Sequence, residues 1–170
     1  LIREYGFFFA ENRMEVFRSI LLQFLTKSPY DTFEDFLNYL SNTTPGKMLL
    51  QQMMDEITIG ETFFFRNVPQ LDTFREYVIP ELVRAKRSSG VQTIKIWSAG
   101  CATGEEVYTN AMLLLENLPN PGTWQIYILG TDINRKFLKI AEEGIYRGNR
   151  PQKHVDQALL QKYFTYEDGQ

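Results

Sequence analysis

The chain has 170 residues, 44% of them hydrophobic, and 18 Lys/Arg set against 21 Asp/Glu leave a net charge of −3. That length buries a real core in one domain or two small ones, and the interspersed, slightly acidic charge gives no electrostatic reason to expect nucleic acid or an anionic membrane as partner. The single cysteine, Cys101, excludes an intramolecular disulfide and fits a reducing cytoplasm, and no apolar run approaches the roughly 20 residues that cross a bilayer.

Arg3 and Glu4 are followed only by the short cluster Phe7-Phe8-Phe9, which does not make a signal peptide. From Asn12 to Lys27 the residues Met14, Phe17, Ile20, Leu21 and Phe24 recur at intervals of three and four, which predicts an amphipathic helix with a buried stripe. Asp31 and Thr32 offer a cap before Phe33, Phe36, Leu37 and Leu40, and Pro45-Gly46 opens a third helix carrying Met48, Leu49, Met53 and Ile57. Residues 1–58 are thus expected to form a helical subdomain, with Met48, Met53 and Met54 filling its core. Residues 59–92 connect it to the rest of the chain. Within them IGETFFFRN (Ile59 to Asn67) fits neither period, Pro69 suits a first helical turn, Pro80 bends that helix or starts another, and Ser88-Ser89-Gly90 ends it.

Residues 93–170 read as α/β. The apolar run of IKIWSAGCATGEE (Ile94 to Glu106) predicts a strand, a Gly-rich turn and the start of a helix reaching Leu118, and Pro119-Asn120-Pro121-Gly122 turns the chain into a second strand from Trp124 to Gly130. Asn134 can cap a helix carrying Phe137, Leu138, Ile140 and Ala141 that ends near Gly144, and a short helix near His154 to Tyr163 and a final strand complete the prediction. Strand, glycine turn, helix and strand make the outline of a βαβ nucleotide site.

The chemistry concentrates at that turn. Gly100 and Gly104 can take positive φ or let a ligand approach the backbone, and Thr103 can cap the helix beginning there. The strict G-x-G-x-x-G pattern is absent, and a ligand-free strand-to-helix turn is the plainer alternative. Asp132, at the tip of the second strand, can accept hydrogen bonds from ribose hydroxyls or simply face solvent. Glu105 and Glu106 favour the helix macrodipole, but two acids there repel a pyrophosphate, which disfavours a nicotinamide dinucleotide. A nucleoside with a cationic far end, such as S-adenosyl-L-methionine, suits them better. His154 sits in a polar stretch and reads as exposed. Cys101 has no base near it in sequence and reads as a small loop residue.

GETFFFRN (Gly60 to Asn67), SAGCATGEE (Ser98 to Glu106), Thr131-Asp132-Ile133 and Ala141-Glu142-Glu143-Gly144-Ile145-Tyr146 together resemble the CheR-type chemotaxis-receptor methyltransferases. The resemblance implies a helical N-terminal subdomain followed by part of a Rossmann-like class I methyltransferase domain, with S-adenosyl-L-methionine as cofactor and S-adenosylhomocysteine as product. It implies esterification of glutamate side chains of a chemoreceptor or receptor-like signalling protein in the cytoplasm. Carried over by motif, it places Thr62 and Arg66 in the cofactor site; Arg66, the candidate catalytic residue, is a permanent cation that can grip the cofactor carboxylate bidentately or steer an incoming glutamate. It sets Gly100 and Gly104 in the binding loop, Glu106 or else Glu105 at the methionine end, and Asp132 on the ribose. Phe63, Phe64 and Phe65 are expected to be mostly core. The chain departs from the family pattern in three respects: Gly60 stands where many relatives carry Asn, the first helix is basic only at Arg13, Arg18 and Lys27, and the family's receptor-tethering insert and later strands are expected beyond Gln170. A non-catalytic module that binds a partner or only the cofactor is the alternative.

Overall fold

The computed structural model describes residues 11–148, 151 and 153–166; Arg3, Glu4 and the Phe7-Phe8-Phe9 cluster lie outside them. The described residues fall into two compact units that divide between Ile59 and Gly60.

In the first unit α1 (Glu11–Thr26) and α2 (Phe33–Asn42) each pack on α3 (Thr44–Ile57). Thr32 caps α2 by accepting the Asp35 N–H at 3.1 Å, and Thr43 caps α3 by accepting the Gly46 N–H at 3.0 Å, so both starts arise from short polar residues ahead of an apolar run. Phe36, Leu40, Leu50, Met53 and Met54 are buried between them. Two expected core positions are not: Met48 is 62% and Met14 47% exposed. Met48 sits five residues before Met53, nearly half a turn round the helix from it, and of the expected α1 stripe only Leu21 is fully buried.

In the second unit Pro69 lies in the first turn of α4 (Val68–Thr73), and a π-turn (Phe74–Val78) precedes α5 (Ile79–Ser89), which has Pro80 in its own first turn. Proline has no N–H to continue the ladder, so the chain widens one turn and restarts. Gly90, at φ 70°, closes α5. Strand β1 (Thr93–Ala99) leads through the glycine turn into α6 (Glu105–Asn117), and a 3₁₀ turn (Pro121–Thr123) leads into β2 (Gln125–Thr131). The strands pair in parallel, Ile94 with Ile126 and Trp97 with Leu129. Asn134 caps α7 (Arg135–Glu143) by accepting the N–H groups of Lys136 and Phe137, and Asp156 caps α8 (Gln157–Tyr163). No strand comes after α8 among the described residues.

The C-terminal half of α6 and its C-cap, Leu118, supply much of the core. Leu113, Leu114 and Leu118 close on Ile79, Ile94 and Trp124, while Met112 joins Phe64, Val155 and Leu160. Each such burial contributes about 1.5–3 kcal/mol. The other face of the sheet is open: Trp97 is 69%, Tyr127 57% and Leu129 60% exposed. Among the described residues no helix is long and apolar enough to cross a membrane.

Candidate functional site

The turn after β1 is held by the end of β2. The Thr131 carbonyl accepts the N–H groups of Gly100 and Cys101 at 2.7 and 3.0 Å, and Asp132 Oδ2 accepts that of Ala102 at 2.8 Å. Ala102 is thereby kept at φ 46°, a conformation alanine avoids without such a partner. The two glycines serve different ends. Gly100, at φ 73°, has nothing within 4 Å of where a Cβ would point, so its backbone is open to a ligand; at Gly104, at φ 94°, a Cβ would lie 2.8 Å from that of Ala141.

The expected Thr103 cap does not form. Gly104 occupies the N-cap position in a left-handed conformation, and Thr103 Oγ1 donates instead to Glu105 Oε2 at 2.6 Å. The start of α6 is shifted by one residue, which turns the Thr103 hydroxyl away from the free N–H groups. The Thr103 carbonyl accepts the Tyr146 hydroxyl at 2.7 Å.

The acids divide by environment. Asp132 Oδ1 also accepts the Asn134 N–H at 2.8 Å, so both oxygens hold backbone while each keeps a further lone pair. Glu106 Oε1 accepts from the buried Ser98 hydroxyl at 2.6 Å. Glu105 is only 1% exposed, and its Oε1 has no hydrogen-bond partner. Burial, and then the nearby Asp132 carboxylate, push the Cys101 thiol above its ordinary pKa, consistent with a packing role.

The TFFFR segment is wedged against this turn. Phe64 is buried, with the Tyr146 ring edge-on at 4.8 Å and Phe164 at 5.2 Å, and the Phe65 N–H donates to Thr109 Oγ1 at 3.1 Å. Of the three phenylalanines only Phe64 is fully buried. Arg66 is exposed, donates to the Glu61 carbonyl and lies 5.8 Å over the Phe63 ring. A side chain at Gly60 would run into the Phe137 ring, 2.4 Å from the Cβ position.

Four of the sequence-predicted site residues meet at one cavity of about 120 Å³: Thr62, Arg66, Gly100 and Glu106 line it, together with Phe63 and Ala102. Gly104 and Asp132 do not line it; they shape the turn that does. A neighbouring cavity of about 360 Å³ shares Glu61, Thr62 and Phe63 with the first and adds Glu105, Lys153 and His154. His154 is exposed, as expected, and stacks on Phe63 at 4.4 Å. Among the described residues no group of His, Cys, Asp and Glu is placed to hold a metal. Sequence reasoning missed Ser98, Thr109 and the anchoring role of Tyr146, although Tyr146 lies in a run already singled out by its motif.

Comparison with known proteins identifies the family. The family described as "CheR methyltransferase, SAM binding domain" matches residues 60–170. A chemotaxis protein methyltransferase of Borreliella burgdorferi is 34% identical over 147 residues, covering 86% of this chain and 52% of that protein. Chemotaxis protein methyltransferase 2 of Vibrio cholerae is 32% identical over 160 residues, 94% of this chain and 54% of that protein. The Listeria monocytogenes chemotaxis protein methyltransferase is 32% identical over 151 residues, 86% and 54% respectively. The chain spans about half the length of these curated relatives. With the matched region running from the TFFFR segment through the turn and beyond α8, the chain belongs to the CheR methyltransferase family and carries its S-adenosylmethionine-binding domain.

Proposed function

We propose that the chain provides the cofactor site of a methyltransferase that esterifies glutamate side chains of a chemoreceptor-like protein. The observation that carries this reading is the cavity in which Thr62, Arg66, Gly100 and Glu106 come together. The parallel pair β1 and β2 with α6 between them supports a Rossmann-like class I architecture.

The residues suit S-adenosylmethionine. Gly100 leaves room for a ligand against the backbone, Glu106 offers a carboxylate to an ammonium, and Arg66 offers a fork for a carboxylate. The remaining lone pairs of Asp132 are available to ribose hydroxyls. When bound, the cofactor supplies a methyl group activated by positively charged sulfur. A glutamate acceptor is already an anion at neutral pH, since its ordinary pKa is about 4.3, so the chain has no proton to remove. Its work is alignment: Thr62 and Arg66 orient the two reactants and the aromatic segment keeps water out.

Calorimetric titration with S-adenosylhomocysteine tests the reading, and a folded chain that gives no heat would sink it. Arg66→Ala is expected to weaken that binding by about tenfold, the loss of one charge-assisted contact, while the melting temperature barely moves because the side chain is exposed. A large fall in melting temperature would instead make Arg66 structural.

A further inference from the structure

The core-facing side of the two-stranded sheet is aliphatic until its last rung. Ile94 pairs with Ile126 and Ile96 with Ile128, but the rung nearest the glycine turn pairs Ser98 with Gly130. The closeness of α6 explains why both are small, since a Cβ at Gly130 would lie 2.9 Å from Val107 Cγ2. It does not explain a hydroxyl, because alanine is small too. Ser98 is 1% exposed, and a hydroxyl buried that deeply costs free energy unless it finds an acceptor.

The acceptor is Glu106 Oε1 at 2.6 Å, eight residues on in the first turn of α6. Neither side chain has another hydrogen-bond partner among the described residues. Glu106 is exposed and lines the cavity of about 120 Å³, whereas Ser98 does not. An exposed glutamate samples several rotamers, and freezing it when a ligand arrives costs affinity. The bond from Ser98, whose own place is fixed by the strand, meets part of that cost in advance. It occupies one lone pair of Oε1 and leaves the rest of the carboxylate available. The neighbouring acid is held elsewhere: Glu105 Oε2 accepts from the Thr103 hydroxyl at 2.6 Å, and Glu105 does not line this cavity.

We propose that Ser98 is a positioning residue for cofactor binding, its hydroxyl holding the Glu106 carboxylate at the cavity wall to receive the ammonium of S-adenosylmethionine; this rests on the reading of the cavity as the cofactor site. Because Ser98 lies outside the lining, it acts only through Glu106, and its effect is confined to the amino group of the ligand.

Calorimetric titration of the chain with S-adenosylhomocysteine, and with an analogue in which hydrogen replaces the α-amino group, tests this. Wild type is expected to bind S-adenosylhomocysteine more tightly than the analogue. Ser98→Ala, which fits the same space, should weaken S-adenosylhomocysteine by about fivefold, the loss of one preorganising contact, and leave the analogue within about twofold. In a Glu106→Ala background, adding Ser98→Ala should change S-adenosylhomocysteine affinity by less than about twofold, since the positioned group is gone. An equal loss for both ligands, or a loss that persists without Glu106, makes Ser98 structural, and no loss for either makes its hydroxyl idle. Each of these overturns the proposal and leaves the cofactor reading standing. If wild type binds the two ligands alike, the ammonium does not meet Glu106 and the proposal falls; if it binds neither, the cofactor reading falls with it.

Discussion

Replacing Gly104 with alanine is expected to lower the unfolding free energy by about 3 kcal/mol, from a left-handed residue penalty of roughly 1–2 kcal/mol and a comparable overpacking term. The position allows little relief: φ is 94°, and the new Cβ would meet Ala141 Cβ at 2.8 Å, Ala141 Cα at 3.0 Å and the Tyr146 hydroxyl at 3.1 Å. Moving Tyr146 aside would break its hydrogen bond to the Thr103 carbonyl. Scanning calorimetry should record a fall in melting temperature on the order of 10 °C. Gly100→Ala is the control, because φ is also positive there but the Cβ meets nothing within 4 Å; it should cost only about 1 kcal/mol. Equal effects at the two positions would show that the contact of α6 with α7 does not govern Gly104.

Asp132→Ala is expected to reduce S-adenosylhomocysteine affinity by about a hundredfold, equivalent to about 2.7 kcal/mol. Two losses combine. The Ala102 and Asn134 N–H groups lose the oxygens they donate to at 2.8 Å, so the turn is released from its strained shape, and the proposed ribose contact loses its acceptor. Asn134 is 1% exposed and has no ready water, so stability should also fall by about 1–3 kcal/mol. Asp132→Asn keeps one acceptor oxygen and should lie between. Calorimetric titration alongside thermal melting checks both quantities, and wild-type affinity in Asp132→Ala would show that the turn needs neither the anchor nor the ribose contact.

What could be read from the sequence was local. Thr32, Asn134, Gly90 and the two helix-starting prolines act on neighbours within a few residues, and each behaves as its chemistry predicts. Thr103 was misread because its competitor, Gly104, is selected by packing on Ala141 and Tyr146, far along the chain. The same distance hid Tyr146 and Thr109, whose hydrogen bonds span 43 and 44 residues. Glu105 and Glu106 are adjacent in sequence but about 100° apart round a helix, so one is buried and the other lines the cavity of about 120 Å³. Helical spacing identifies a stripe but not how much of it is covered, which is why Met14 and Met48 remained outside the core.

The open face of the sheet gives the chain an optical reporter. Trp97 is 69% exposed, and its indole Nε1 donates to Thr131 Oγ1 at 2.9 Å. The carbonyl of that same threonine holds the Gly100 and Cys101 N–H groups. The second tryptophan, Trp124, is 7% exposed, and its indole donates to the Pro119 carbonyl at the far end of β2. The long-wavelength part of the intrinsic emission therefore comes from an indole two bonding steps from the cofactor turn, while the short-wavelength part comes from one sealed in the core. A change confined to the red side would register motion of the turn, and a shift of the whole band would register loss of the fold.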